Sequence, residues 1–170
     1  MRLTLISVIS AIGLLGCGSS PEVARPVVGD IPAAIEALET RLGTGLEYFE
    51  VSADLRGVTM VLAETEQDNS GEVLGMFATT FRWEDGELTS DGETLSAEGA
   101  TFRASAISIN AEDLFEQIDD ELSTPVIADV AIQGSGAGST VIDATVVNEK
   151  GGTLLVLLSG DGRILGVQAS

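Results

Sequence analysis

The chain has 170 residues, 44% of them hydrophobic, which suits one medium domain or two small ones sharing a core. Its net charge of −19 repels nucleic acid and anionic lipid headgroups and favours cationic partners or divalent ions, although the same charge also serves plain solubility. With no histidine and a single cysteine, the chain excludes Ser-His-Asp and Cys-His nucleophilic sites, histidine general bases and zinc sites built from His or Cys.

Residues Met1 to Cys17 read MRLTLISVISAIGLLGC, where Arg2 precedes an apolar run from Leu3 to Leu15 that closes on small residues. That is the layout of a secretory signal. A membrane-spanning helix needs about 20 apolar residues, and this run is shorter and carries Thr4, Ser7 and Ser10. The junction Leu14-Leu15-Gly16-Cys17 resembles the bacterial lipobox. The resemblance implies removal of residues 1–16, acylation of Cys17 as the mature N-terminus, and tethering to an envelope membrane. Gly18 rather than aspartate after the cysteine implies, in a Gram-negative cell, the outer membrane facing the periplasm. The alternative is an ordinary thiol behind a general secretion signal. One cysteine allows no intramolecular disulfide, and an exported free thiol is open to oxidation, which lipidation prevents. Loss of Arg2 with the signal would make the net charge more negative by one. Gly18 to Gly29, GSSPEVARPVVG, is small, polar and proline-containing, so residues 17–29 read as the lipidated cysteine and a flexible tether.

A first unit is expected over 30–88. Asp30 can cap a helix whose second residue is Pro32, with Ile31, Ile35, Leu38 and Leu42 as its apolar stripe and Gly43 at its end. Alternation follows, with Phe49, Val51, Ala53 and Leu55 facing one way and Glu50, Ser52 and Asp54 the other. Further strands are expected over Val58 to Glu64 and Val73 to Trp83, joined by the turn Gln67 to Gly71, and Asp85-Gly86 marks a hairpin. Residues 89–109 read as a connection with a strand near Phe102 to Ile109.

The same order then repeats over 110–170. Asn110 can cap a second helix, with Asp113 placed as in a capping box, a stripe of Leu114, Phe115, Ile118 and Leu122, and a stop at Thr124-Pro125. Val126, Ala128, Val130 and Ile132 match the first strand of the earlier unit. A glycine loop over Gly134 to Gly138 and strands over Thr140 to Val147 and Thr153 to Ser159 come next, and Asp161-Gly162 closes the unit. Ile35, Leu38 and Leu42 map onto Phe115, Ile118 and Leu122 at one constant spacing, as a duplicated unit would give. The expected fold is therefore α+β, with two related αββββ halves. This layout resembles PepSY-type domains, and the tandem pair is similar to the architecture of beta-lactamase-inhibitor-like proteins. The resemblance implies binding or inhibition of other proteins, without chemistry.

Gly134-Ser135-Gly136-Ala137-Gly138 lacks the spacing of a dinucleotide fingerprint and joins two strands where the fingerprint needs a strand and a helix. Glu66, Asp68, Ser70 and Gly71 echo the start of a calcium loop, but Phe77 stands where a bidentate glutamate is required. Phe77, Phe81 and Trp83 share one strand face, suited to a core or to stacking on sugar. Glu112, Glu116, Asp119 and Asp120, with Glu121, make the outer face of the second helix densely negative: a solvated face, or a docking surface for a basic partner. No cofactor or metal is called for and no catalytic residue stands out. The expected partners are a membrane, through the lipid anchor, and a cationic envelope protein, not nucleic acid. The readings left open are a non-catalytic binding or assembly module, a small carboxylate-based hydrolase of envelope polymer, and an inhibitor of cationic hydrolases.

Overall fold

The computed structural model describes residues 23–123, 125–147 and 151–169. Helix α1 spans Ile31–Leu42 and α2 spans Ala111–Glu121. The strands are β1 Glu47–Asp54, β2 Gly57–Gln67, β3 Val73–Glu84, β4 Glu87–Ala97, β5 Phe102–Arg103, β6 Val126–Gly136, β7 Ser139–Val147, β8 Thr153–Ser159 and β9 Ile164–Ala169. They form one antiparallel nine-stranded sheet in the order β4-β3-β2-β1-β6-β7-β8-β9, with β5 paired beside the start of β1. The protein is thus an α+β domain built on a single continuous sheet.

Register explains where the core sits. Phe81, Met60, Val51, Ile132, Ile142 and Leu158 lie opposite one another across β3, β2, β1, β6, β7 and β8. All six are buried, as are Ile31, Ala34, Ile35 and Leu38 of α1 and Leu114, Phe115 and Ile118 of α2, in one cluster. A slip of one residue would turn the row out to solvent, at roughly 1.5–3 kcal/mol for each large side chain exposed, so this register is strongly held. The residues between, on the opposite face, are at most half-buried. Both helices therefore cover the same face, and among the described residues the other face is left open.

Beta-bulges account for two differences from simple alternation. In β1, Tyr48 faces Leu62 and Glu50 faces Val61, so Phe49 is an extra residue; the buried set is Tyr48, Val51 and Ala53. Phe49 does not join it, and Leu55 lies exposed in the turn after β1. In β6, Ile127 faces Val146 and Asp129 faces Thr145, so Ala128 is extra and the core takes Ile127, Val130 and Ile132, not Val126 and Ala128. A bulge reverses the inward parity of the residues before it.

The helix ends differ from each other. Asn110 has an extended backbone and its Oδ1 accepts the Glu112 N–H at 2.9 Å, while Asp30 makes no such bond. A 3-10 turn over Val28–Asp30 runs straight into α1 and leaves Asp30 already helical (φ −87°, ψ −9°), a geometry that capping does not use. Gly43 ends α1 at φ +108°, and Leu42, expected in the stripe, is exposed. Leu122 is half-buried just beyond α2, and Thr124 lies outside the described residues.

Three segments expected to be irregular are ordered. Strand β4 runs through Ala97, into the expected connection; its side chains are nearly all exposed, as an edge strand permits. The supposed glycine loop is mostly strand: β6 continues to Gly136, and only Ala137 (φ +51°) and Gly138 (φ +74°) make the turn. Gly134 is required there, because a Cβ would stand 2.3 Å from the Ala100 carbonyl oxygen. Of the tether, Val27 donates its N–H to the Asp54 carbonyl at 2.9 Å and Val28 is buried, so this stretch is packed against the domain.

Candidate functional site

The open face is built by the positions that alternate with the core. One row crosses the sheet from Thr89 through Arg82, Thr59, Ser52, Ala131, Asp143 and Leu157 to Gly166. A neighbouring row carries Asp54, Asp129, Thr145, Leu155 and Gln168, and another carries Val61, Glu50, Gln133 and Val141. Glu50, Asp54, Asp129 and Asp143 thus gather at the sheet centre, flanked on β7 and β8 by Val141, Leu155 and Leu157.

These carboxylates are not equivalent. Arg82 reaches Asp54 Oδ1 at 2.9 Å and Thr59 Oγ1 at 2.9 Å, and its guanidinium also donates to Glu84 at 3.3 Å. Asp54 Oδ1 further accepts the N–H groups of Arg56 and Gly57, closing the turn between β1 and β2. The Arg82 hydrogen bond is the main reason the Asp54 carboxyl falls to a pKa of about 2. Asp143 is the opposite case: burial, and then the charge of Asp129, push its pKa up. Its Oδ1 is enclosed with no hydrogen-bond partner among the described residues. Asp129 accepts the Thr145 hydroxyl at 3.2 Å, and Glu50 accepts the Gln133 amide at 3.2 Å. Among the described residues, then, Arg82 engages Asp54 and Glu84, while Glu50, Asp129 and Asp143 have no ion-pair partner. A guanidinium or ammonium group placed over Asp129 and Asp143 would relieve their mutual repulsion.

Comparison with protein-family models, with curated proteins and with solved structures gives no match. The residues themselves carry the functional argument.

Cys17 lies outside the described residues. Glu112, Glu116, Asp119 and Asp120 are all exposed on α2. Asp119 is engaged from within the chain: Arg25 pairs with its carboxylate and sets its guanidinium 5.0 Å from the centre of the Phe115 ring. The aromatic strand divides, with Phe81 buried, Trp83 half-buried beside α1, and Phe77 half-buried opposite Glu64. Asp68 closes its own turn by accepting from the Ser70 hydroxyl and the N–H groups of Ser70 and Glu72. Asp129, Asp143 and Arg82 escaped the sequence reading, although Asp129 and Gln133 on β6 and Asp143 and Thr145 on β7 alternate with core residues and so mark a solvent-facing side. A separate cavity of about 440 Å³ lies between α1 and Ala104–Ile107, with Ile31, Pro32 and Ile35 on its apolar wall and Glu36 and Glu39 at its edge. It does not include the open-face carboxylates.

Proposed function

We propose that the protein is a lipid-anchored, non-catalytic binding or assembly module of the cell envelope that holds a cationic protein against the open face of its sheet. One observation carries this reading: both helices cover one face, while the other gathers three carboxylates without an ion-pair partner among the described residues, beside half-buried valine and leucine side chains. Charge set beside apolar contact lets a protein interface gain both specificity and area. Asp129 and Asp143 lie on an exposed sheet rather than in a cleft, which favours recognition over the acid–base hydrolysis of a polymer. The α2 carboxylates are a poorer choice of surface, since Arg25 already engages Asp119.

The anchor rests on the lipobox resemblance at Cys17. Two related halves are supported by the bulges after Tyr48 and after Ile127, at matching positions of β1 and β6. They are supported too by the β1–β6 pairing, in which Ser52 faces its own counterpart Ala131, as an internal two-fold requires.

Two experiments test this reading. Metabolic labelling with a fatty-acid analogue should mark the natural chain and leave Cys17→Ser unlabelled; equal labelling of both refutes the anchor. Purification of the tagged protein without crosslinking, from gently solubilised envelopes, should give one dominant envelope protein whose yield falls between about 0.05 M and 0.5 M salt, as a charged contact requires. Recovery of nothing beyond the bait would refute the binding role.

A further inference from the structure

The two edges of the sheet are treated very differently. Strand β4 carries Glu87, Asp91 and Glu93, contains Gly92 at φ +73°, and is offset from β3 by a bulge between Thr79 and Phe81. Charges and bulges of this kind prevent an edge from pairing with another strand. Strand β9 also has a bulge, at Leu165, but none of the charged guards. It reads Ile-Leu-Gly-Val-Gln-Ala over Ile164–Ala169, without charge or proline, in a chain of net −19. Among the described residues nothing pairs with its outer side, and Leu165 is 65% and Val167 44% exposed. Strand β8 behind it, Thr153–Ser159, is also uncharged.

We propose that β9 is a pairing edge, and that its occupant is the β9 strand of a second copy of this chain. Charge decides the occupant. A cationic partner finds acidic side chains at the sheet centre, whereas this edge offers none and suits an uncharged, apolar strand, which a second copy supplies. Symmetry agrees. Two identical strands pair antiparallel about a two-fold axis normal to the sheet, which closes the pair and keeps the same face of each copy on the same side. The helix faces, and the lead-in residues Arg25 to Val28 packed with them, then point the same way in both copies, as two chains on one membrane require. The joined open faces form one continuous surface. Six strand residues fall short of the roughly 800 Å² per partner of a standard interface, so the pair is weak in dilute solution. It forms where an anchor raises the local concentration, and in that respect the inference rests on the tether proposed above.

The test places a photo-crosslinker at Gln168 of the full chain expressed in cells. The expected product is an adduct of twice the chain mass. Val167→Lys should reduce it at least about fivefold, because a charge on each copy meets its own kind across the pair; Thr94→Lys on the guarded edge should leave it unchanged. In isolated membranes the adduct should hold or increase between about 0.05 M and 0.5 M salt, since screening relieves the repulsion between two anionic chains. That is the opposite of the salt response of a cationic partner on the open face, so the two proposals fail separately. No adduct, an adduct only with a different protein, or one untouched by Val167→Lys would overturn the proposal.

Discussion

Replacing Arg82 by methionine removes a cation that bridges Asp54, Glu84 and Thr59 while keeping much of its apolar stem. The fall of the Asp54 pKa from 3.8 to about 2 corresponds at face value to about 2 kcal/mol favouring the folded state. With 40% of that side chain open to solvent, screening reduces this to about 1 kcal/mol. The bond to Thr59 adds about 1 kcal/mol, so Arg82→Met should cost about 2 kcal/mol near pH 7. Because the folded pKa is depressed, the Asp54 share is fully present above pH 3.8 and is lost as the pH falls through about 2. Near pH 1.5 the cost should therefore shrink to about 1 kcal/mol, the Thr59 share alone. Denaturant unfolding followed by the fluorescence of Trp83, the single tryptophan, measures both. An unchanged difference at the two pH values, or no loss near pH 7, would refute the reasoning.

Tyr48 is fully buried, with its hydroxyl unpartnered among the described residues and its pKa pushed up to about 12, mainly by burial. Tyr48→Phe should leave stability unchanged or raise it by up to about 1 kcal/mol, read as the denaturation midpoint; a loss above about 1 kcal/mol would reveal a bond to that hydroxyl. Gly57→Ala would drive a Cβ to 2.2 Å from the Trp83 carbonyl oxygen, so the β2–β3 pair must shift at a cost of about 2 kcal/mol or more. A thermal midpoint within a degree or two of the natural chain would contradict that contact. Asn110→Ala removes the cap on the Glu112 N–H and should cost about 1 kcal/mol, seen as a lower melting temperature.

Much of the fold was legible because its signals are local. Ile31, Ile35 and Leu38 keep a helical period, Gly43 and Asp85-Gly86 mark chain reversals, and the run from Thr153 to Ser159 has a strand composition. What stayed hidden depends on partners far along the chain. The bulges at Phe49 and Ala128 exist only in the pairings with β2 and β7, so alternation read from one strand alone misassigns the residues on one side of each. Strand β4 has too polar a composition to stand out, and is held by β3 rather than by a core of its own. Gly134 has the composition of a loop, and its need for glycine comes from Ala100, far from it in sequence. The candidate site followed the same pattern. Glu50, Ser52 and Asp54 were legible as a solvent-facing set, but the meeting of Asp54 with Asp129 follows from the central pairing of β1 with β6, and that of Asp143 with Asp129 from the pairing of β6 with β7. Arg25 read as part of a tether, and nothing nearby in sequence points to Asp119 as its partner.

The open face as the docking surface is tested most directly by in-cell photo-crosslinking from Leu155, beside Thr145 and Asp129, and in parallel from Glu116 on the exposed side of α2. One dominant adduct with a basic envelope protein from Leu155, lost in the double variant Asp129→Asn, Asp143→Asn and absent from Glu116, is the expected result. The same adduct from Glu116 and none from Leu155 would move the function to the helix face and contradict the account.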